Sequence, residues 1–265
     1  GASRKRFQIG HEIVRNLVFG GFTGPVYPVN PKAKVVHSML CFPKVSAIPG
    51  PVDLAIITVP APLVLPAAKD CARKGVKGLV VITAGFGEIG GEGTVLQNEL
   101  VALCKKHGIR MIGPNCMGIL NTAVEFAMNS SFAAATPTRG GAAFLSQSGA
   151  LGEAILTDAR SLGIGVSMFA SVGNRADVSP CDLLDYWDED PNTEQILMYL
   201  EAFGEPERFM DAARRISPRK PILVVKSGRS AQGARAAVSH TGSLAGSEAA
   251  VDSLLNQCGV LRVDT

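Results

Sequence analysis

Aromatic side chains are scarce in this 265-residue sequence, 6% of the total with a single tryptophan, which argues against a stacking surface for nucleic-acid bases. Charge of either sign is also short. Charged residues make up 18%, and Lys+Arg 26 against Asp+Glu 23 leaves only +3, too near balance to imply nucleic acid or an anionic membrane as partner. Long apolar runs are missing. The most apolar stretch, residues 52–68, contains Asp53 and three prolines and cannot span a bilayer, and no signal peptide is visible. The six cysteines (Cys41, Cys71, Cys104, Cys116, Cys181, Cys258) never form a C-x-x-C pair. Sitting mostly inside apolar segments, they read as reduced core residues of a cytoplasmic protein. The opening turn at residues 1–6 is not G-x-G-x-x-G, so the usual dinucleotide fingerprint is absent there and an NAD(P)-dependent oxidoreductase is a weak reading.

What is present is a core and many turns. Hydrophobic residues at 46% exclude disorder, and the length suits two domains at roughly 100–200 residues each. Short β-branched runs at 25–29, 54–59, 79–83 and 110–112 are closed by Pro, Gly or Asn and predict buried strands. Helical stretches at 9–18, 61–74 and 95–107 lie between them, each closed by a glycine: Gly20, Gly75 or Gly108. Residues 133–141 (AAATPTRGG) break this alternation and read as a linker. The alternation then restarts, with strands expected at 142–145, 166–170, 196–200, 222–225 and 260–263 and helices at 150–162, 181–187, 206–216 and 243–257. Two α/β domains follow, 1–132 and 142–265. Gly1-Ala2-Ser3 has the character of a strand-to-helix turn with no strand before it. The first sheet is therefore expected to lack its opening strand, and the chain to be a fragment.

In the first half, the turn Gly1-Ala2-Ser3-Arg4-Lys5-Arg6 runs into a helix. Small residues let a phosphate approach the backbone, the helix end favours an anion, and three cations add charge. An exposed basic terminus explains these residues equally well. Asn30 and Lys32 follow the next expected strand, where a Rossmann-like domain reads the ribose, and lysine suits a phosphorylated ribose. Pro60, Thr83 and Asn115 also follow strands. Each could belong to an ordinary turn, but their convergence on one sheet edge predicts a ligand crevice.

In the second half, Ser146-Gln147-Ser148-Gly149-Ala150-Leu151 and Ser239-His240-Thr241-Gly242-Ser243-Leu244 share S-x-[ST]-G-x-L, and each opens an expected helix. Two such helix ends can hold one phosphate through Ser146, Ser148, Gly149, Thr241, Gly242 and Ser243. His240 supplies a nucleophile there, and Glu201, closing the strand at 196–200, is the best partner for its other nitrogen. His11, His37 and His107 lack any such setting, and Asp177 shapes the site or simply its own loop.

These motifs together resemble one family. GAS at 1–3, PVNPKA at 28–33, PVDLAIITVPA at 51–61, MIGPNCMGILNT at 111–122, FLSQSGALG at 144–152, SVGNRADV at 171–178 and KSGRSAQGARAAVSHTGSLAG at 226–246 resemble the alpha region of ADP-forming acyl-CoA synthetases (acetate–CoA ligases), within the succinyl-CoA synthetase superfamily. The resemblance implies a Rossmann-like CoA-binding domain, its first strand missing, followed by a flavodoxin-like parallel α/β domain. It implies CoA phosphates near residues 1–6 and Lys32, pantetheine or thiol near Thr83 and Asn115, phosphorylation of His240, and Glu201 as its pairing glutamate. It further implies an oligomer, a small carboxylic acid as substrate, and an ATP-grasp partner subunit or domain that brings ADP/ATP and Mg2+. A similar pair of domains, fused to a GNAT-type protein-lysine acetyltransferase, is thought to sense acyl-CoA without catalysis. That is the alternative function, although the retained His240 favours catalysis.

Overall fold

The computed structural model describes residues 1–228 and 248–263. Helix α1 (Ile9–Phe19) follows the opening turn and buries Ile13, Val14 and Leu17. A small hairpin, β1 (Val35–Val36) and β2 (Met39–Leu40), comes next. Its loop residues His37 and Ser38 both have positive φ, 47° and 64°, the requirement of a type I′ turn. The first sheet is β3 (Leu54–Ile57), β4 (Gly78–Val81) and β5 (Arg110–Ile112), parallel and in that order. Helices α2 (Ala61–Lys74) and α3 (Gly91–Lys106) connect the three strands. Gly75 at φ 82° closes α2, a left-handed position that glycine takes without strain. Leu79, Val81, Met111, Val64 and Leu100 form the core between sheet and helices.

The segment 25–29 was expected as a strand, but only Val29 makes a bridge, with Phe42. Pro25 and Pro28 carry no N–H to donate. In addition, an apolar cavity of about 640 Å³ separates the segment from the free edge of β3. Val26, Tyr27, Val29, Leu54, Ile56 and Val14 of α1 are among the residues that line it.

The second sheet has seven strands. Strands β6 (Gly118–Asn121) and β7 (Met128–Asn129) precede β8 (Arg139–Ser146), helix α4 (Gly149–Ser161) and β9 (Val166–Ser171). Helix α5 (Pro180–Glu189), β10 (Gln195–Leu200), α6 (Pro206–Ile216), β11 (Ile222–Lys226), α7 (Glu248–Gln257) and β12 (Leu261–Arg262) complete the described fold. The spatial order is β12-β11-β10-β8-β9-β6-β7. The first five of these are parallel, which is flavodoxin-like order. The flavodoxin-like parallel sheet that was expected is therefore present, and β6 and β7 extend it with two antiparallel strands. Residues 118–129, assigned by expectation to the first domain, thus lie in the second sheet. Likewise β8 begins at Arg139, inside the segment expected as linker. The two extra strands are short: β6 pairs with the edge of β9, and β7 pairs with β6. α5 starts with a capping box, Ser179 and Asp182 each bonding the other's backbone, behind Pro180 at the first position. Trp187, Phe209, Leu184 and Ile196 anchor the core on that face.

Candidate functional site

Two clusters of loops lie at strand carboxyl ends, one for each sheet. In the first, the Ala2 amide donates to the Val29 carbonyl (3.1 Å) and Asn30 Nδ2 donates to the Ala2 carbonyl (2.7 Å). Asn30 Oδ1 accepts from the Lys32 amide (2.8 Å), and Thr58 Oγ1 donates to the Gly1 carbonyl (3.0 Å). Gly1, Ala2, Ser3, Asn30 and Lys32 are therefore brought together, with Arg4, Lys5 and Lys32 exposed around them. Glycine is needed in this turn. A Cβ on Gly1 would meet Thr58 Oγ1 at 2.1 Å, and one on Gly10 would meet the Gly1 carbonyl at 2.0 Å. Closed backbone rimmed by cations fits a phosphorylated ligand. The helix end contributes less than the sequence suggests, because the Glu12 carboxylate already accepts from the Phe7 amide (3.0 Å).

A few residues away, Thr83 Oγ1 donates to the Val59 carbonyl (2.7 Å), beside Pro60 at the cap of α2. The Asn115 amide donates to the Thr83 carbonyl (3.0 Å), and Asn115 itself holds φ 59°. Pro60, Thr83 and Asn115 thus share one edge. Cys116, next along, is no nucleophile, since burial pushes its thiol up to about 12.

In flavodoxin-like sheets the ligand crevice opens where strand order reverses, here between the carboxyl ends of β8 and β10. Ser146, Ser148 and Gly149 leave β8, and Glu201 leaves β10. Ser146 is fully buried, and its Oγ donates to the Ser148 carbonyl (2.6 Å). Ser148 caps α4, accepting from the Leu151 amide (3.4 Å). Both hydroxyls are thus engaged in shaping the loop that opens α4. His240, Thr241, Gly242 and Ser243 lie outside the described residues.

Sequence reasoning missed the residue that joins these loops. Gln147, almost wholly buried, accepts at Oε1 from the Glu201 amide (2.6 Å) and the Ala202 amide (3.0 Å). Its Nε2 donates to the Ala202 carbonyl (2.8 Å). Gln147 occupies the variable position of S-x-[ST]-G, the same place His240 takes in the second copy, and that was the available signal.

The loop after β9 joins the two clusters. Its Asn174, Ala176 and Val178 amides donate to the Pro114, Gly113 and Met111 carbonyls. Asp177 accepts from Arg110 Nε (3.1 Å) and the Met111 amide (2.6 Å), so it braces this loop. Asn174 Nδ2 donates to Glu88 Oε2 (2.5 Å) and Gln97 Oε1 (2.9 Å). Burial pushes the Glu88 carboxyl up, but the Asn174 amide and the Gly85 and Phe86 backbone N–H groups outweigh it and hold its pKa low. At the end of β11, burial lowers the Lys226 pKa against the attraction of Glu248 and Glu201.

Comparison with known proteins agrees with both halves. Residues 1–122 match a CoA binding domain family, and residues 139–265 match a succinyl-CoA ligase like flavodoxin domain family. Acetate–CoA ligase [ADP-forming] I of Archaeoglobus fulgidus is 45% identical over all of this chain. The alpha subunit of acetate–CoA ligase [ADP-forming] I of Pyrococcus furiosus is 42% identical, also over all of it. A solved acetyl-coenzyme A synthetase 1 of Ca. Korarchaeum cryptofilum, in complex with phosphate and ADP, superposes with a TM-score of 0.94 at 46% identity, covering 100% of this chain and 57% of that one. This chain belongs to the ADP-forming acyl-CoA synthetase family. It matches the alpha region of that family and spans 38% of the Archaeoglobus protein and 58% of the Pyrococcus subunit. Among the described residues of this alpha region no helix is long and apolar enough to cross a membrane, and no group of His, Cys, Asp or Glu is placed to hold a metal ion.

Proposed function

We propose that this chain is the acyl-CoA-binding and phosphoryl-relay part of an ADP-forming acid–CoA ligase. Acyl-CoA and phosphate give an acyl phosphate and free CoA. The acyl phosphate passes its phosphoryl group to His240, releasing the carboxylic acid. An ATP-grasp partner, bringing Mg2+ and ADP, then takes the phosphoryl group to form ATP. The carrying observation is the switch point, where Gln147 ties the β8 loop to the backbone of Glu201. A carboxylate held there can orient an imidazole and stabilise its charged form. Residues 1–132 would supply CoA binding, with phosphates at Gly1–Lys5 and Lys32 and the thiol end towards Thr83 and Asn115. Residues 142–265 would carry the phosphohistidine. Six free cysteines, five of them buried, support a cytoplasmic setting.

Acetyl-CoA plus radiolabelled inorganic phosphate should label the chain at His240, and His240→Ala should abolish the label while CoA affinity stays unchanged. Equal labelling of the variant would overturn the assignment. CoA binding with no labelling of the unaltered chain would favour the sensing module.

A further inference from the structure

Arg175 lies where the two loop clusters meet, and the proposed relay does not yet use it. Its backbone sits at φ 55° in the loop after β9, between Asn174, which bonds Asn115, and Ala176, which bonds Gly113. The guanidinium is partly buried and reaches across the crevice, where Nη1 donates to the Ala202 carbonyl (2.9 Å). Gly204 lies beside it, and a Cβ there would come within 3.4 Å of Nη1. Gln147 holds the same Ala202 carbonyl, so the position of the cation is set from two strands.

A guanidinium presents five N–H donors in a planar fork. Among the described residues one contact, with Ala202, engages that fork, and no carboxylate forms a salt bridge with it. Bracing a single carbonyl needs neither a second charge centre nor burial of a cation. Burial lowers the Arg175 pKa, and the attraction of Glu201 offsets this only in part. A cation so placed gains most from a ligand that brings negative charge and two acceptor oxygens.

We propose that Arg175 binds the oxyanion of the reacting group, the phosphoryl oxygens of an acyl phosphate, between the thiol end of CoA and Glu201. This rests on the functional reading above, which identifies the acyl phosphate. It adds a substrate-binding cation in the loop after β9, separate from the two S-x-[ST]-G loops. Carboxylate and phosphate share the chemistry that would recognise them, so acetate, inorganic phosphate and acetyl phosphate are the probes.

Titration calorimetry of the 265-residue chain with each probe, alongside CoA, tests the proposal. Acetyl phosphate should bind the unaltered chain, and Arg175→Met should weaken it about tenfold or more. Arg175→Lys should recover part of the loss, and CoA affinity and melting temperature should stay close to those of the parent in both variants. A larger loss for acetate than for acetyl phosphate would relocate the contact to the acid's carboxylate and overturn the phosphoryl assignment. No binding of acetyl phosphate to the parent, equal binding by Arg175→Met, or a parallel loss of CoA binding would each overturn the proposal. Labelling of His240 by acetyl phosphate is read separately. If it fails while the Arg175 effect on binding persists, the relay reading falls and the anion site stands.

Discussion

The two sheets solve the same problem with unequal resources. The first has three paired strands, an open edge on β3 and a cavity of about 640 Å³ against that edge. The second has seven strands, and its largest buried cluster includes Trp187, Phe209 and Leu184. Their carboxyl-end loops differ in the same sense. Around Gly1, Asn30 and Thr83 the loops are held through main-chain groups and short polar side chains. At the β8–β10 switch point a buried glutamine makes three bonds to one neighbouring loop. A crevice that binds a long flexible ligand tolerates a yielding frame. One that relays a phosphoryl group needs atoms held within fractions of an ångström.

Matched substitutions can break this comparison. Phe86 and Phe209 are each fully buried, one in each core. Truncation to alanine should cost about 3–5 kcal/mol at either site. Hydrogen exchange then reads how far the damage spreads. Phe86→Ala should speed exchange in β3, β4 and β5 and leave β8 and β10 protected, while Phe209→Ala should do the reverse. Equal loss across both sheets from either variant would show one cooperative unit. The next effect is smaller and opposite in sign between the regions. Ala143 lies in the closed core at zero exposure, so Ala143→Val should overpack it and cost about 1–3 kcal/mol. Ala55 borders the cavity, so Ala55→Val should be neutral or stabilise by up to about 1 kcal/mol. Chemical denaturation measures both, and a destabilised Ala55→Val would mean that the cavity does not admit the added methyl groups.

How much of this was legible in the sequence depended on how local the signal was. Helices 61–74 and 206–216 matched to the residue, because Gly75 closes the first and Pro206 opens the second. β5 matched for a similar reason, being a short apolar run closed by Gly113. The segment 25–29 misled because β-branched residues state a preference for extension and cannot supply a partner strand. The hairpin at 35–40 was missed because His37-Ser38 is not one of the Asn-Gly pairs that advertise its turn. In the site, glycines, hydroxyls and post-strand positions pointed to loops that gather at strand carboxyl ends. Gln147 was marked only by its place in the repeated motif and Asn174 and Arg175 by nothing comparable, since their partners are far along the chain: Ala202 is 55 residues from Gln147 and 27 from Arg175, and Asn115 is 59 from Asn174.

One link between the regions should be sensitive to pH. Glu88 belongs to the first half and Asn174 to the second, and their bond joins the loops that flank the proposed thiol position. The carboxylate also accepts from the Gly85 and Phe86 amides, so its ionised form is favoured in the folded chain. With the folded pKa below the unfolded one, its contribution is fully present above the unfolded value and fades as pH falls through the folded value. Glu88→Gln keeps an acceptor oxygen and removes the charge. Because water reaches the carboxylate, the loss near neutral pH should be at most about 1 kcal/mol. Urea denaturation of parent and variant should show that gap at pH 7 and a narrowing towards pH 3. A gap that is constant with pH would assign the effect to amide geometry and remove charge from the coupling between the two halves.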